Sequence, residues 1–160
     1  MSYDLSVYLK RSNMPSPEQW RQAIHDAGFA VDLDADFEIE TFGGFLPCPV
    51  DGKVSGFELT FAECDPEETE ESGLPSDLDF TVVFSIGSNP LEMISALIAS
   101  GVLAQLSEGW LVDPQVGQSI PVNEALEQGR LLLVLAEACS ATEEPPATTS
   151  SNKKVWWKFW

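Results

Sequence analysis

The sequence predicts an α+β domain: one mostly antiparallel sheet with helices on a single face. Three observations predict it. Stretches of period two, such as Tyr3 to Leu9, Phe57 to Phe61 and Phe80 to Ile86, point to strands with one buried face. Stretches of helical period around Trp20, Leu91 and Leu126 point to helices. The strands gather in the middle of the chain instead of alternating with helices, which favours antiparallel neighbours over a parallel sheet.

The elements follow in order. Tyr3, Leu5, Val7 and Leu9 alternate with polar neighbours and form the first strand. Asn13 to Ser16 is a turn. Ser16 is placed to cap a helix, with Pro17 at its first position and Gln19 closing a capping box. Trp20, Ala23, Ile24 and Ala27 share one face of that helix, and Gly28 ends it. Phe29 to Leu33 and Phe37 to Thr41 read as short strands or one interrupted strand. Residues 42 to 56, rich in Gly and Pro, read as a loop with a turn at Asp51-Gly52. Phe57 to Phe61 and Phe80 to Ile86 are strands. Between them, prolines and repelling carboxylates predict an exposed, mobile connection.

Asn89 and Pro90 open a helix that runs to Gln105 or Ser107 and is apolar on most of its circumference, so it should be buried. Trp110 to Val112 is a strand, and Asp113-Pro114 turns the chain. Pro121 opens a last helix with an inner stripe of Val122, Ala125, Leu126, Gly129, Leu132, Leu133 and Ala136. Leu131, Val134 and Leu135 widen the stripe, which predicts deeper packing toward its end. The order is β-α-β-β-β-β-α-β-α, and a split β-α-β, ferredoxin-like variant fits it best. Residues 1–140 form a single domain. Residues 141–160, rich in Thr, Pro, Ser and Glu before a basic-aromatic end, read as a flexible linker and tail.

Composition narrows the function. The chain has 160 residues, 44% of them hydrophobic, enough for one domain with a real core. It carries 26 Asp and Glu against 8 Lys and Arg, a formal charge of −18. Such a body repels phosphate backbones and anionic membranes, which disfavours nucleic acid as a direct partner, and it attracts basic surfaces. Cys48, Cys64 and Cys139 are widely spaced with no C-x-x-C, as expected of reduced thiols in the cytoplasm. Met1 to Leu9 lacks the apolar core of a secretion signal, and Leu91 to Leu106 is interrupted by Glu92, Ser95, Ser100 and Gln105.

No catalytic, cofactor or metal constellation emerges. Asp32, Asp34 and Asp36 match the start of a calcium-binding loop, but its sixth position is Phe37 where Gly is required and its twelfth is Gly43 where Glu is required. The plainer expectation is a strand with Glu38 and Glu40 on its wet face. His25 is the only histidine, which excludes multi-histidine zinc sites. Phosphate-loop, dinucleotide and nucleophile-elbow motifs are absent. Two surfaces stand out instead. One is the acidic set Glu38, Glu40, Glu67, Glu68, Glu70, Glu71 and Asp77, suited to a basic protein partner. The other is the tail, where Trp156, Trp157, Phe159 and Trp160 lie among Lys153, Lys154 and Lys158. Its chemistry suits docking into a groove, weak contact with an anionic membrane, or folding back onto the acidic body.

Met1-Ser2-Tyr3-Asp4-Leu5, Gln19-Trp20, Ala27-Gly28-Phe29, Gly44-Phe45-Leu46-Pro47, Gly56-Phe57-Glu58 and Asp113-Pro114-Gln115 together resemble a family of small acidic bacterial proteins, over about residues 1 to 138. Several short bacterial proteins similar to these act as immunity proteins against toxins passed between cells. The resemblance implies inhibition of a toxin and carries over no active-site residue. The expectation is a non-catalytic protein-binding module. The alternatives are an inner-membrane adaptor held by the tail and a small enzyme with a carboxylate or Cys site, for which His25, Cys48 and Cys64 are the obvious residues to substitute.

Overall fold

A computed structural model describes residues 3–142, with side chains placed through residue 137. Six strands form one sheet in which every pairing is antiparallel. They are β1 (Tyr3–Leu9), β2 (Gly44–Pro47), β3 (Gly56–Glu63), β4 (Phe80–Ile86), β5 (Trp110–Asp113) and β6 (Gln118–Ile120), arranged β2-β3-β4-β1-β5-β6. The helices are α1 (Pro17–Asp26), α2 (Pro66–Glu71), α3 (Pro90–Ser107) and α4 (Val122–Thr142), with a short 3-10 turn at Arg11–Asn13. The class is α+β, as the sequence predicts. At its centre, α1 links β1 to β3 and α3 links β4 to β5, so β3-β4-β1-β5 has the split β-α-β arrangement.

Alternation in the strands puts Leu5, Val7, Leu9, Phe57, Leu59, Val82, Phe84 and Ile86 on one buried face. Trp20 and Ile24 of α1 pack onto it, the Trp20 ring meeting Phe84 edge-on at 5.9 Å. The indole N–H of Trp20 donates to the carbonyl of Ala99 in α3 at 2.9 Å, which satisfies the one polar atom of the largest buried side chain. The capping box at Ser16 and Gln19 forms as its residues predict, and Gly28 takes the positive φ of 85° that ends the helix.

Helix α3 is long and apolar enough by composition to cross a membrane, yet it is buried on most of its circumference. The sheet and α1 cover one side and α4 the other. Gly101 faces Ala125 and Leu126, and Gly129 faces Ile98, so the two helices approach closely.

Five expectations are corrected. Phe37 to Thr41 is not a strand: Thr41 and Phe42 both donate to the carbonyl of Glu38, making a turn. The turn brings Phe37 and Phe42 to 4.9 Å and stacks Phe37 on Phe61 at 6.4 Å, contacts that alternation on a strand forbids. Phe29 to Leu33 does alternate, but forms an isolated bridge, Val31 to Val50, and not a strand of the sheet; Asp32 and Asp34 donate their backbone N–H groups to the carbonyls of Pro49 and Pro47 beside it. The stretch from 42 to 56 contains edge strand β2 as well as the Asp51-Gly52 turn, both of whose residues have positive φ. Residues 63 to 79 are not a loose connection. They form α2 and bury Thr69, Leu74 and Leu78. Leu74 and Leu78 pack with Val112 and Tyr8, which point away from the helical layer, so this segment covers the opposite face of the sheet. The fifth correction is at α4, where Leu131, Val134 and Leu135 are 51%, 58% and 58% exposed. The helix meets α3 along the stripe of Ala125, Gly129 and Leu133, and the three outer side chains fall on the far side. The helix also runs to Thr142, two residues past the expected boundary. The linker and the tail from Glu143 to Trp160 lie outside the described residues.

Candidate functional site

The acidic residues singled out in the sequence converge at one end of the sheet. There β1 finishes, β3 leaves and β4 begins: Leu9 and Glu63 both pair with Phe80. Lys10 and Arg11 follow β1 directly and tie the acidic segments down. Lys10 Nζ lies 2.9 Å from Asp77. Arg11 binds Glu40 through its guanidinium at 2.6 Å and Asp79 through its backbone N–H at 2.7 Å. Its guanidinium also sits over the Phe80 ring, 5.1 Å from the centroid. A cleft of about 390 Å³ opens here, lined by Arg11, Glu63, Cys64, Asp65, Asp79 and Phe80.

The six residues of α2 project the rest. Pro66 starts the helix, and Glu67 and Glu68 in its first turn are favoured by the unpaired N–H groups there. Thr69 anchors the inner side, donating its hydroxyl to the Pro66 carbonyl at 2.9 Å while its backbone carbonyl accepts from Leu74 at 2.7 Å. That leaves Glu67, Glu68, Glu70 and Glu71 exposed, and no salt bridge among the described residues takes them up. Glu38 is exposed on the neighbouring turn.

The negative field of this end is felt by the groups inside it. The Tyr8 phenol is held above its ordinary pKa by burial and then by the charges of Glu68 and Cys64. The Cys64 thiol is pushed up by burial, with Glu68, Asp79 and Asp65 adding to the effect. Lys10 is held protonated chiefly by Asp77, with Glu108 and Asp79 contributing, and Asp77 is correspondingly lowered by Lys10.

Sequence reasoning missed one residue of this surface. Trp110 is 40% exposed at the start of β5. It pairs across from Tyr8, which feels Glu68, so a large amphipathic ring and the first turn of α2 share Tyr8 as a neighbour. Only the register of β5 on β1 brings these together. The sequence signal was a tryptophan immediately after Glu108 and Gly109, at a strand's polar end.

The residues considered for catalysis do not meet. His25 is on the surface of α1, 3.2 Å from Asp32, which also accepts from Arg21 at 2.8 Å. This cluster fastens α1 to the segment that follows it, and Arg21 lowers the Asp32 pKa most. Cys48 is in the core, its thiol raised far above the ordinary range by burial. Cys64 is at the acidic end, where the field opposes the thiolate a nucleophile needs. Among the described residues no group of three or more His, Cys, Asp or Glu is arranged to hold a metal ion.

No family model matches the chain, and neither a curated protein nor a solved structure matches it.

Proposed function

We propose that this chain is a non-catalytic protein-binding module of the bacterial cytoplasm that receives a basic protein on its acidic end, most concretely an immunity protein that neutralises a basic toxin. The observation that supports the reading is the gathering of Glu38, Glu40, Glu67, Glu68, Glu70, Glu71 and Asp77 at one end of the sheet, beside the exposed ring of Trp110. Carboxylates held on a rigid support attract and orient a cationic partner, while an aromatic group at their edge supplies contact that outlasts the encounter.

The test is capture from the native lysate on the immobilised full chain, beside a variant with Glu67, Glu68, Glu70 and Glu71 all changed to Gln. A basic protein should be retained by the native chain and lost from the variant. Its association rate with the purified chain should fall at least about tenfold between about 0.01 and 0.15 M salt, as the screening length shrinks from about 30 to 8 Å. Equal retention by both forms, or a rate indifferent to salt, refutes the reading.

A further inference from the structure

Behind α3, on the side of the molecule away from α2, the outer face of α4 carries an apolar stripe with no partner among the described residues. Leu131, Val134 and Leu135 are all more than half exposed. They stand at i, i+3 and i+4, so they form one patch. On the same face, four and seven residues before Leu131, are exposed Glu127 and Glu124. The face is therefore apolar at one end and anionic at the other.

We propose that the segment Lys153–Trp160 of the same chain docks on this face, its indoles against Leu131, Val134 and Leu135 and its lysines toward Glu124 and Glu127. The segment has the complementary chemistry: Trp156, Trp157, Phe159 and Trp160 among Lys153, Lys154 and Lys158. The reach also fits. From Thr142 back to Leu131 is about 17 Å along the helix. Ten residues, the number from 143 to 152, would span about 17 Å root-mean-square if they formed an unstructured tether. A tether of that length holds the segment at millimolar effective concentration, so a weak contact is populated.

Charge disfavours the other occupants. Two copies each of formal charge −18 repel one another. Three aliphatic side chains also fall well short of the roughly 800 Å² per partner of a stable dimer. An anionic membrane is repelled by Glu124 and Glu127 on the docking face itself. The inference is independent of the acidic end, whose helix α2 belongs to the segment covering the opposite face of the sheet.

The indole N–H signals of the full-length, nitrogen-15-labelled chain test it. Trp20, bonded to Ala99, reports the fold in the same spectrum. In the native chain the signals of Trp156, Trp157 and Trp160 should differ from those of a synthetic Lys153–Trp160 peptide. In Leu131→Gln/Val134→Gln/Leu135→Gln they should move to the peptide positions while Trp20 stays. Leu131→Met/Val134→Ile/Leu135→Met should keep the native positions, and Glu124→Gln/Glu127→Gln should shift them part of the way. Native signals already at the peptide positions overturn the proposal, as do signals unmoved by the glutamine variant. Shifts that grow with protein concentration overturn it in favour of a second copy. Shifts seen only with phosphatidylglycerol vesicles overturn it in favour of a membrane.

Discussion

Arg11 grips Glu40 at 2.6 Å while its own backbone N–H holds Asp79 at 2.7 Å, so one residue joins two acidic segments that come from distant parts of the chain. Its guanidinium also covers Phe80. Both partners are largely exposed, so the ion pair and the ring contact together are worth about 1 kcal/mol. Arg11→Gln should lower the unfolding free energy measured in urea by that amount at low ionic strength. At about 1 M salt, where the screening length is about 3 Å, most of the deficit should vanish. A deficit that persists at high salt would show that Arg11 acts through packing and not through charge.

Helix α4 is seated on α3 through two glycines, and Gly129 is the tighter contact: a methyl group there would stand 2.7 Å from Ile98 Cγ1. Gly129→Val should force the helices apart and cost about 2 kcal/mol. Ile98→Ala alone leaves a cavity and should cost at least about 2 kcal/mol. Together the substitutions fit one another, so the double variant should be more stable than the sum by about 1 kcal/mol in a denaturation cycle. Simple additivity would place the helix contact elsewhere.

Tyr3 donates its hydroxyl to Asp113 across the end of the sheet. Burial, reinforced by that carboxylate, pushes its pKa up to about 12. The unfolded chain has the ordinary value near 10. The folded state therefore binds this proton more tightly. The resulting stability is complete below pH about 10 and is lost as pH rises toward 12. Phenolate absorbance should place one tyrosine near 12. Between pH 10 and 12 the native chain should lose stability faster than Tyr3→Phe. Tyr8 is present in both, so the difference between the two curves belongs to Tyr3.

Where a side chain's environment is decided within a few residues, the sequence predicts it. The alternation of β1, β3 and β4 and the Ser16 capping box are of this kind, as are the apolar circumference of α3 and the turn at Asp51-Gly52. Long-range partners decide the rest. Asp32 to Glu40 alternates like a strand, but the rings of Phe37 and Phe42 close a turn onto Phe61. Leu74 and Leu78 carry no period inside an acidic stretch, and find their place only because Tyr8 and Val112 present an apolar spot on the sheet. Leu131, Val134 and Leu135 seemed to broaden a buried stripe, but α3 offers one narrow face built around Gly101 and Ile98. The acidic residues of the candidate site were visible by composition. Their convergence depends on Lys10 and Arg11, placed by the register of β1 against β4.

The register of β5 on β1 positions Trp110, and its contribution can be separated from that of the carboxylates. Charges at the edge of an interface act mainly on the encounter, whereas a buried aromatic anchor acts on the lifetime of the complex. Trp110 is 40% exposed in the isolated chain and leaves room for a partner to cover it. With the basic protein retained from lysate, Trp110→Ala should weaken binding by about 2 kcal/mol, roughly thirtyfold, through a faster dissociation rate. The glutamine variant of Glu67, Glu68, Glu70 and Glu71 should slow association and leave dissociation within about threefold of native. Surface plasmon resonance at two salt concentrations resolves the two rates. Because the acids are set on a helix one side of Tyr8 and the ring on a strand at the other, the two effects should add when all five residues are changed. An association defect in Trp110→Ala with unchanged dissociation would move the lasting contact away from β5, onto α2 or the turn bearing Glu38 and Glu40.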